Sequence, residues 1–281
     1  MSRDDGSYQG FGDANDFLPD ENDHQTQEDD RESDRREWAG KRRIRPLAKI
    51  VISLLVLAGI ALVLNATLLK IRHIRINGNR SFTAAEVAQQ AGLNKDMSYF
   101  TVREAQIRTA LERNPYLEFV TLRKQFPSTL VLFIKERSPC ANVLGGGIMY
   151  LVDENANVLQ TFNTAKTDNT LPVVIGLQVS EAKPGSRIVT SRIGKVDEYC
   201  QVMEELLLQG VVNEFDQINL TDSEHIYLRH RLGYVADLGT AKELMAKIGT
   251  LRAVISALQE EGLRNGYIDV MIPGEAIYSP E

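Results

Sequence analysis

Four histidines, two cysteines and the acidic pairs Asp153-Glu154 and Asp197-Glu198 are residues of this 281-residue chain that could carry chemistry. Their spacing argues against most of it. His225 and His230 flank an apolar strand pattern at odd spacing, so an extended backbone sends them to opposite faces. His73 lies just beyond a long apolar run. No G-x-S-x-G elbow accompanies them, which leaves a Ser–His–Asp nucleophile without support. Gly145-Gly146-Gly147 has the composition of a phosphate cradle but lacks the Lys-Ser/Thr ending that would hold one. It reads instead as a linker or hairpin between two domains. Glycosidic cleavage needs two carboxylates facing one cleft. Asp153-Glu154 and Asp197-Glu198 are neighbours that point apart in a strand, and they read as solvated turns or helix starts.

The cysteines, Cys140 and Cys200, stand sixty residues apart and could form one disulfide or remain two thiols. Cys200 falls on an apolar helical stripe with Val196, Met203 and Leu207. Cys140, between Pro139 and Ala141, reads as a small buried apolar residue. Two thiols are favoured. No Cys or His pair has ligand spacing, so no metal site is expected. The chemical inventory predicts no catalytic, cofactor-binding or metal-binding residue, and the chain reads as a non-enzyme. Functional weight falls on surfaces.

Those surfaces must be positioned by elements, and the first element is an apolar run from Ile50 to Leu69. Twenty residues at 1.5 Å rise cover about 30 Å, the thickness of a bilayer's hydrocarbon core. Ser53, Asn65 and Thr67 are its only polar side chains, and none is charged. Lys41, Arg42, Arg43, Arg45 and Lys49 precede it; Lys70, Arg72 and Arg75 follow. That bias places the amino terminus in the cytoplasm and the bulk of the chain outside. The run exceeds the apolar core of a signal peptide and lacks a small-x-small cleavage site, so a retained anchor is expected. Residues 1–40 carry thirteen acids and four Arg, with Trp38 the only tryptophan. This composition predicts a disordered acidic tail. Residues 41–49 form a basic juxtamembrane segment suited to anionic lipid. From Lys70 onward the chain is nearly neutral, with a net charge of −2, which gives no electrostatic case for nucleic-acid binding.

Residues 70–142 read as one small unit of strand, two helices and two strands. The first strand ends in the Asn77-Gly78-Asn79 turn. Thr83 with Glu86 forms a capping box opening a helix through Gln90, and Thr101 with Glu104 promises a second one. Ile107, Ala110 and Leu111 share a face, and Asn114-Pro115 closes that helix. Strands follow at Leu117–Gln125 and after Phe126-Pro127-Ser128, with Leu130, Leu132 and Ile134 on one side. Residues 148–273 read as a second domain, followed by a tail at 274–281. A helix from Arg192 to Gln209 should turn Val196, Met203, Leu206 and Leu207 inward. Strands are expected at Gln217–Leu220, Ile226–Arg231, Tyr234–Leu238 and Gly266–Ile272. A further helix carries a stripe of Leu244, Ile248, Leu251, Ile255 and Leu258. The fold class is α+β: one transmembrane helix (50–69), a β-α-α-β-β unit, and a mixed domain with a long antiparallel sheet.

Several segments in order resemble the FtsQ/DivIB family of bacterial division proteins, whose first external unit is a POTRA domain. They are Ile74-Arg75-Ile76-Asn77-Gly78-Asn79, Asn114-Pro115, Phe126-Pro127-Ser128-Thr129-Leu130 and Lys135-Glu136-Arg137-Ser138-Pro139. Further along come Tyr150-Leu151-Val152-Asp153 with Val158-Leu159, and then Leu171-Pro172-Val173-Val174-Ile175-Gly176. The last are Gly233-Tyr234-Val235-Ala236-Asp237-Leu238-Gly239 and Tyr267-Ile268-Asp269-Val270. Phe126 stands where the family often has tryptophan, and Ala156 or Asn157 where it has a glycine.

The resemblance implies a non-enzymatic divisome scaffold located at the septum of the cell membrane. Such a scaffold binds FtsL-like and FtsB/DivIC-like bitopic proteins and acts indirectly on the septal peptidoglycan synthase complex. It has no small-molecule substrate. Gly266 to Ile272, as the last expected strand, should present a free sheet edge to which a partner strand could add. By resemblance the partner-binding candidates are Tyr234, Leu238, Tyr267, Ile268, Val270 and Met271. Rival readings are a membrane-anchored cell-wall hydrolase or protease, and a POTRA-type export chaperone. Export chaperones usually carry several POTRA units or a β-barrel.

Overall fold

A computed structural model describes residues 46–67, 70–95, 97–163 and 170–280. The acidic tail, Trp38, the basic residues 41–45 and the end of the apolar run at 68–69 lie outside the described residues. The chain divides into two compact units, 1–62 and 63–281. Helix α1 (Pro46–Thr67) starts four residues before the expected span. It is long and apolar enough to cross a membrane. Pro46 opens it, where a missing N–H costs nothing.

The first sheet packs as a β-α-α-β-β unit. Its members are β1 (His73–Asn77), α2 (Ala84–Gln90), α3 (Glu104–Leu111), β2 (Leu117–Gln125) and β3 (Thr129–Glu136). The strand order is β1-β3-β2, with β1 parallel to β3 and β2 antiparallel to it. Gly78 permits the turn after β1: its φ is +95°, and a Cβ there would sit 1.9 Å from the Ile134 carbonyl oxygen. Thr83 caps α2 in a complete capping box with Glu86. The second expected box does not form. Thr101 donates its hydroxyl to the Ser98 carbonyl at 2.8 Å, and Arg103 becomes the N-cap of α3 with no side-chain bond. Ile71, Val87, Ile107, Leu111, Leu130 and Leu132 are buried in one core.

The remaining elements build a nine-stranded sheet and its cover. They run β4 (Ala141–Gly145), β5 (Ile148–Val152), β6 (Val158–Asn163), β7 (Val173–Ile175), β8 (Val179–Glu181), β9 (Val189–Thr190) and α4 (Lys195–Leu208). A 3-10 turn, Val212–Glu214, leads to β10 (Phe215–Asn219), β11 (Tyr227–His230), β12 (Tyr234–Asp237), α5 (Leu244–Glu260), β13 (Gly266–Asp269) and β14 (Ile277–Ser279). The order is β14-β13-β12-β11-β10-β7-β4-β5-β6. Strands β8 and β9 form their own ribbon. The large sheet is mixed: β12–β13, β10–β7 and β4–β7 are parallel and the other pairings antiparallel.

The Gly145-Gly146-Gly147 segment lies within this sheet, as the turn between β4 and β5. Helices α4 and α5 contribute to a single core with the strands. The expected stripe on α5 is buried throughout. On α4 the inward line is Lys195, Glu198, Tyr199, Val202, Met203 and Leu206. Leu207, expected inward, is exposed, because the buried line runs through Tyr199, Val202 and Leu206 and leaves Leu207 at its flank. Both cysteines are free: Cys140 is buried 3.5 Å from the Tyr199 hydroxyl, and Cys200 is half-buried.

Candidate partner-binding surface

Alternation along β12 and β13 sorts the six candidate residues. In these parallel strands, Tyr234, Ala236 and Ile268 point into the helix-covered core, and Leu238 and Val270 continue that layer. Tyr234, Leu238, Ile268 and Val270 are fully buried. Val235, Asp237 and Tyr267 take the opposite face. Tyr267 and Met271 are each 37% exposed. The structure therefore brings the six together, and only two of them reach solvent.

The expected free edge is corrected by one strand. β13 is not the end of the sheet, because β14 pairs antiparallel along it, with Tyr267 opposite Ser279 and Asp269 opposite Ile277. Residues 274–281, read from sequence as a tail, thus hold the edge strand. Tyr278 packs inward, its hydroxyl bonded to the Asn265 carbonyl at 2.8 Å, while Ile277 stands 67% exposed. Among the described residues, no strand pairs with the outer side of β14.

Asp237 organises the open face next to this edge. It is 1% exposed, and its Oδ1 accepts the Gly239 N–H at 2.8 Å. Its Oδ2 accepts the Tyr267 hydroxyl at 3.0 Å and pairs with His225 Nδ1 at 2.8 Å. Three partners saturate a buried carboxylate, which would otherwise be costly to bury. The bond to Asp237 raises the His225 pKa, since it favours the charged imidazole. Burial first, then Asp237, pushes the Tyr267 hydroxyl well above the usual phenol value. Tyr227 stacks on His225 with ring centroids 6.1 Å apart. His225 and the Tyr267 hydroxyl share the Asp237 carboxylate, which holds the three side chains together.

From the helix side, Lys247 reaches up from α5. Its buried ammonium donates to the carbonyls of Leu238 at 2.8 Å and Thr240 at 3.0 Å, fixing the exit from β12. Burial lowers its pKa. On the open face two shallow depressions of about 350 and 340 Å³ meet at Val235. One is bordered by Tyr267 and Ser279, the other by Tyr227 and Arg229. The tyrosines give this end of the sheet amphipathic contact area suited to a protein partner.

Sequence reasoning missed the braces. His225 and Asp237 meet because the antiparallel β11–β12 ladder sets Tyr227 opposite Asp237, a pairing that no local pattern announces.

Among solved structures, the extracytoplasmic domain of the division protein DivIB from Geobacillus stearothermophilus aligns over 45% of this chain and 97% of its own, at 17% identity and a TM-score of 0.30. The domain family described as "POTRA domain, FtsQ-type" matches residues 69–137. The Geobacillus kaustophilus cell division protein DivIB is 27% identical over 110 residues, covering 39% of this chain and 42% of the relative. DivIB of Brevibacillus brevis is 31% identical, over 41% of this chain and 44% of its own length. This chain thus spans less than half the length of those two relatives. DivIB of Clostridium botulinum strain Hall is 21% identical across 85% of this chain and 93% of the relative. All three relatives are cell division proteins by name, which supports a division role. The chain carries an FtsQ-type POTRA domain and is similar, along most of its length, to DivIB cell division proteins.

Proposed function

We propose that the chain is a non-enzymatic, bitopic scaffold of the division machinery, with its amino terminus in the cytoplasm and residues 70–281 outside. It binds FtsL-like and FtsB/DivIC-like membrane proteins and thereby helps assemble and regulate septal peptidoglycan synthesis. The observation that supports this most is the unpaired outer side of β14, flanked by exposed Ile277 and by the braced Tyr267 face. An extended partner segment adds to such an edge through main-chain hydrogen bonds, while alternate side chains select it. Within the six candidates, Tyr267 and Met271 act as contacts. Tyr234, Leu238, Ile268 and Val270 hold the strands beneath them.

Two measurements test the reading. Depletion of the protein should yield filamentous or septation-defective cells; normal septa would remove the division role. For the edge, Ile277→Lys combined with Met271→Lys in the full chain should lower capture of the bitopic partners at least tenfold. Thermal stability should stay within about 0.5 kcal/mol, as for exposed substitutions generally. Undiminished capture would exclude β14 as the docking edge.

A further inference from the structure

The end of the POTRA sheet where the chain arrives from α1 leaves two large apolar side chains in the open. Arg72 and His73 both donate their backbone N–H to the Ser128 carbonyl, at 2.9 and 3.2 Å. His73 also pairs with Thr129, so the β2–β3 hairpin tip stands beside the entry to β1. Phe126 at that tip is 74% exposed. Phe100, on the loop whose Ser98 bridges to Lys70, is 63% exposed.

Tyr99 joins them into one cluster. Its buried ring lies edge-on to both, with centroids 5.6 Å from Phe100 and 6.3 Å from Phe126. Lys124 donates to the carbonyls of Tyr99 and Val102, at 3.3 and 2.6 Å, which pins the Phe100 loop against β2. The exposed rings are therefore held on a rigid footing.

Charge follows the same axis. Lys70, Arg72, Arg75 and Arg123 cluster around the tip, with Arg75 and Arg123 on either side of Val131 across the three strands. The acids of β2 and β3, Glu118 and Glu136, sit at the far end of the sheet, where Lys135 and Arg137 accompany them. Connectivity fixes where this basic, aromatic end must be. Three peptide steps from Thr67 reach Lys70 within about 11 Å, and five reach Arg72 within about 18 Å. A helix that crosses the bilayer therefore keeps the tip within reach of the membrane surface.

We propose that Phe100 and Phe126, ringed by Lys70, Arg72, Arg75 and Arg123, dock on the anionic lipid surface of the membrane that holds α1. The inference rests on the reading that α1 spans that membrane. The two phenyl rings enter the boundary between headgroups and acyl chains, and the basic side chains extend to the lipid phosphates. A convex tip with two rings suits a deformable interface better than the groove or strand edge a protein segment requires. Such contact sets the tilt of the POTRA domain on the membrane.

The test uses the full chain in vesicles of phosphatidylglycerol and phosphatidylethanolamine whose acyl chains are brominated near the headgroup. A Trp38→Phe background receives Phe126→Trp, Phe100→Trp or, as a distant control, Ile193→Trp at a fully exposed site in the second domain. Phe126→Trp and Phe100→Trp should emit at shorter wavelength and be quenched at least twofold more than Ile193→Trp. Arg72→Glu with Arg123→Glu should remove most of that difference. Flotation of the same vesicles reports on α1 independently. A chain that floats with Phe126→Trp quenched no more than Ile193→Trp overturns the docking inference and leaves the tip to a protein partner. A chain that does not float overturns the spanning helix and the docking together.

Discussion

The POTRA domain and the nine-stranded domain bury polar groups in opposite ways. Among the described residues, every buried polar or charged side chain lies in the larger domain: Asn142, Asp153, Lys195, Glu198, His230, Asp237 and Lys247. The POTRA core is apolar throughout, and capping, a glycine turn and a hairpin order its elements, with β1 returning to pair with the distant β3. The larger domain assembles strands from distant parts of the chain, β7 lying between β10 and β4. Buried charges tie its loops down: Lys195 holds Glu198 and the Leu220 carbonyl, and Lys247 holds the β12 exit. A small domain can rely on local signals, whereas a wide mixed sheet uses specific polar ties to fix which loop goes where.

Breaking one such tie should give the largest effect. Glu198→Ala strands the buried Lys195 ammonium and should cost about 3–5 kcal/mol. Urea titration read by hydrogen exchange should place the loss in the larger domain, with POTRA amides keeping their protection. Equal loss in both would erase the contrast.

A smaller effect should sharpen the local half of the comparison. Thr83→Ala removes a functioning N-cap and should cost about 1 kcal/mol. Thr101→Ala removes the same residue from the same sequence pattern and should stay within about 0.5 kcal/mol. Thermal melts of the two variants against wild type measure both, and equal costs would mean that Thr101 caps after all.

The smallest effect concerns pH. The folded pKa of His225 is raised by Asp237, so its contribution is complete below the ordinary imidazole value of 6.5. The contribution fades as pH climbs through the raised folded value. The stability gap between wild type and His225→Gln should therefore shrink steadily from pH 5.5 to 8.5. A flat gap would show that the Asp237–His225 contact does not depend on charge.

The same contrast explains what could be read from residues alone. The Thr83/Glu86 box, the Leu117–Gln125 strand and the α5 stripe are local patterns, and each lies where expected. Thr101/Glu104 has the same spacing, yet the helix begins at Glu104 with Arg103 as its N-cap, which leaves Thr101 outside it. Leu207 was expected inward on apolar periodicity, yet the buried line through Tyr199, Val202 and Leu206 leaves it at the flank. β14 escaped notice because three residues after Pro273-Gly274 are too few to show alternation; its pairing with β13 defines it. For the candidate surface, the six residues fall on or just after two paired strands. Which of the six residues face solvent depended on register: Tyr267 lies opposite Val235 on the open face, and Ile268 opposite Ala236 in the core.

The parallel pairing of β1 with β3 also determines how the POTRA domain bears mechanical load. Tension between the anchor and the larger domain enters at His73, the start of β1, and leaves at Glu136, the end of β3. Because the two strands run in the same direction, these points lie at opposite ends of the shared ladder. Their hydrogen bonds are then strained together in shear, and none can be opened singly like the teeth of a zipper. A pull on the two ends of this domain therefore meets the ladder along its shear direction.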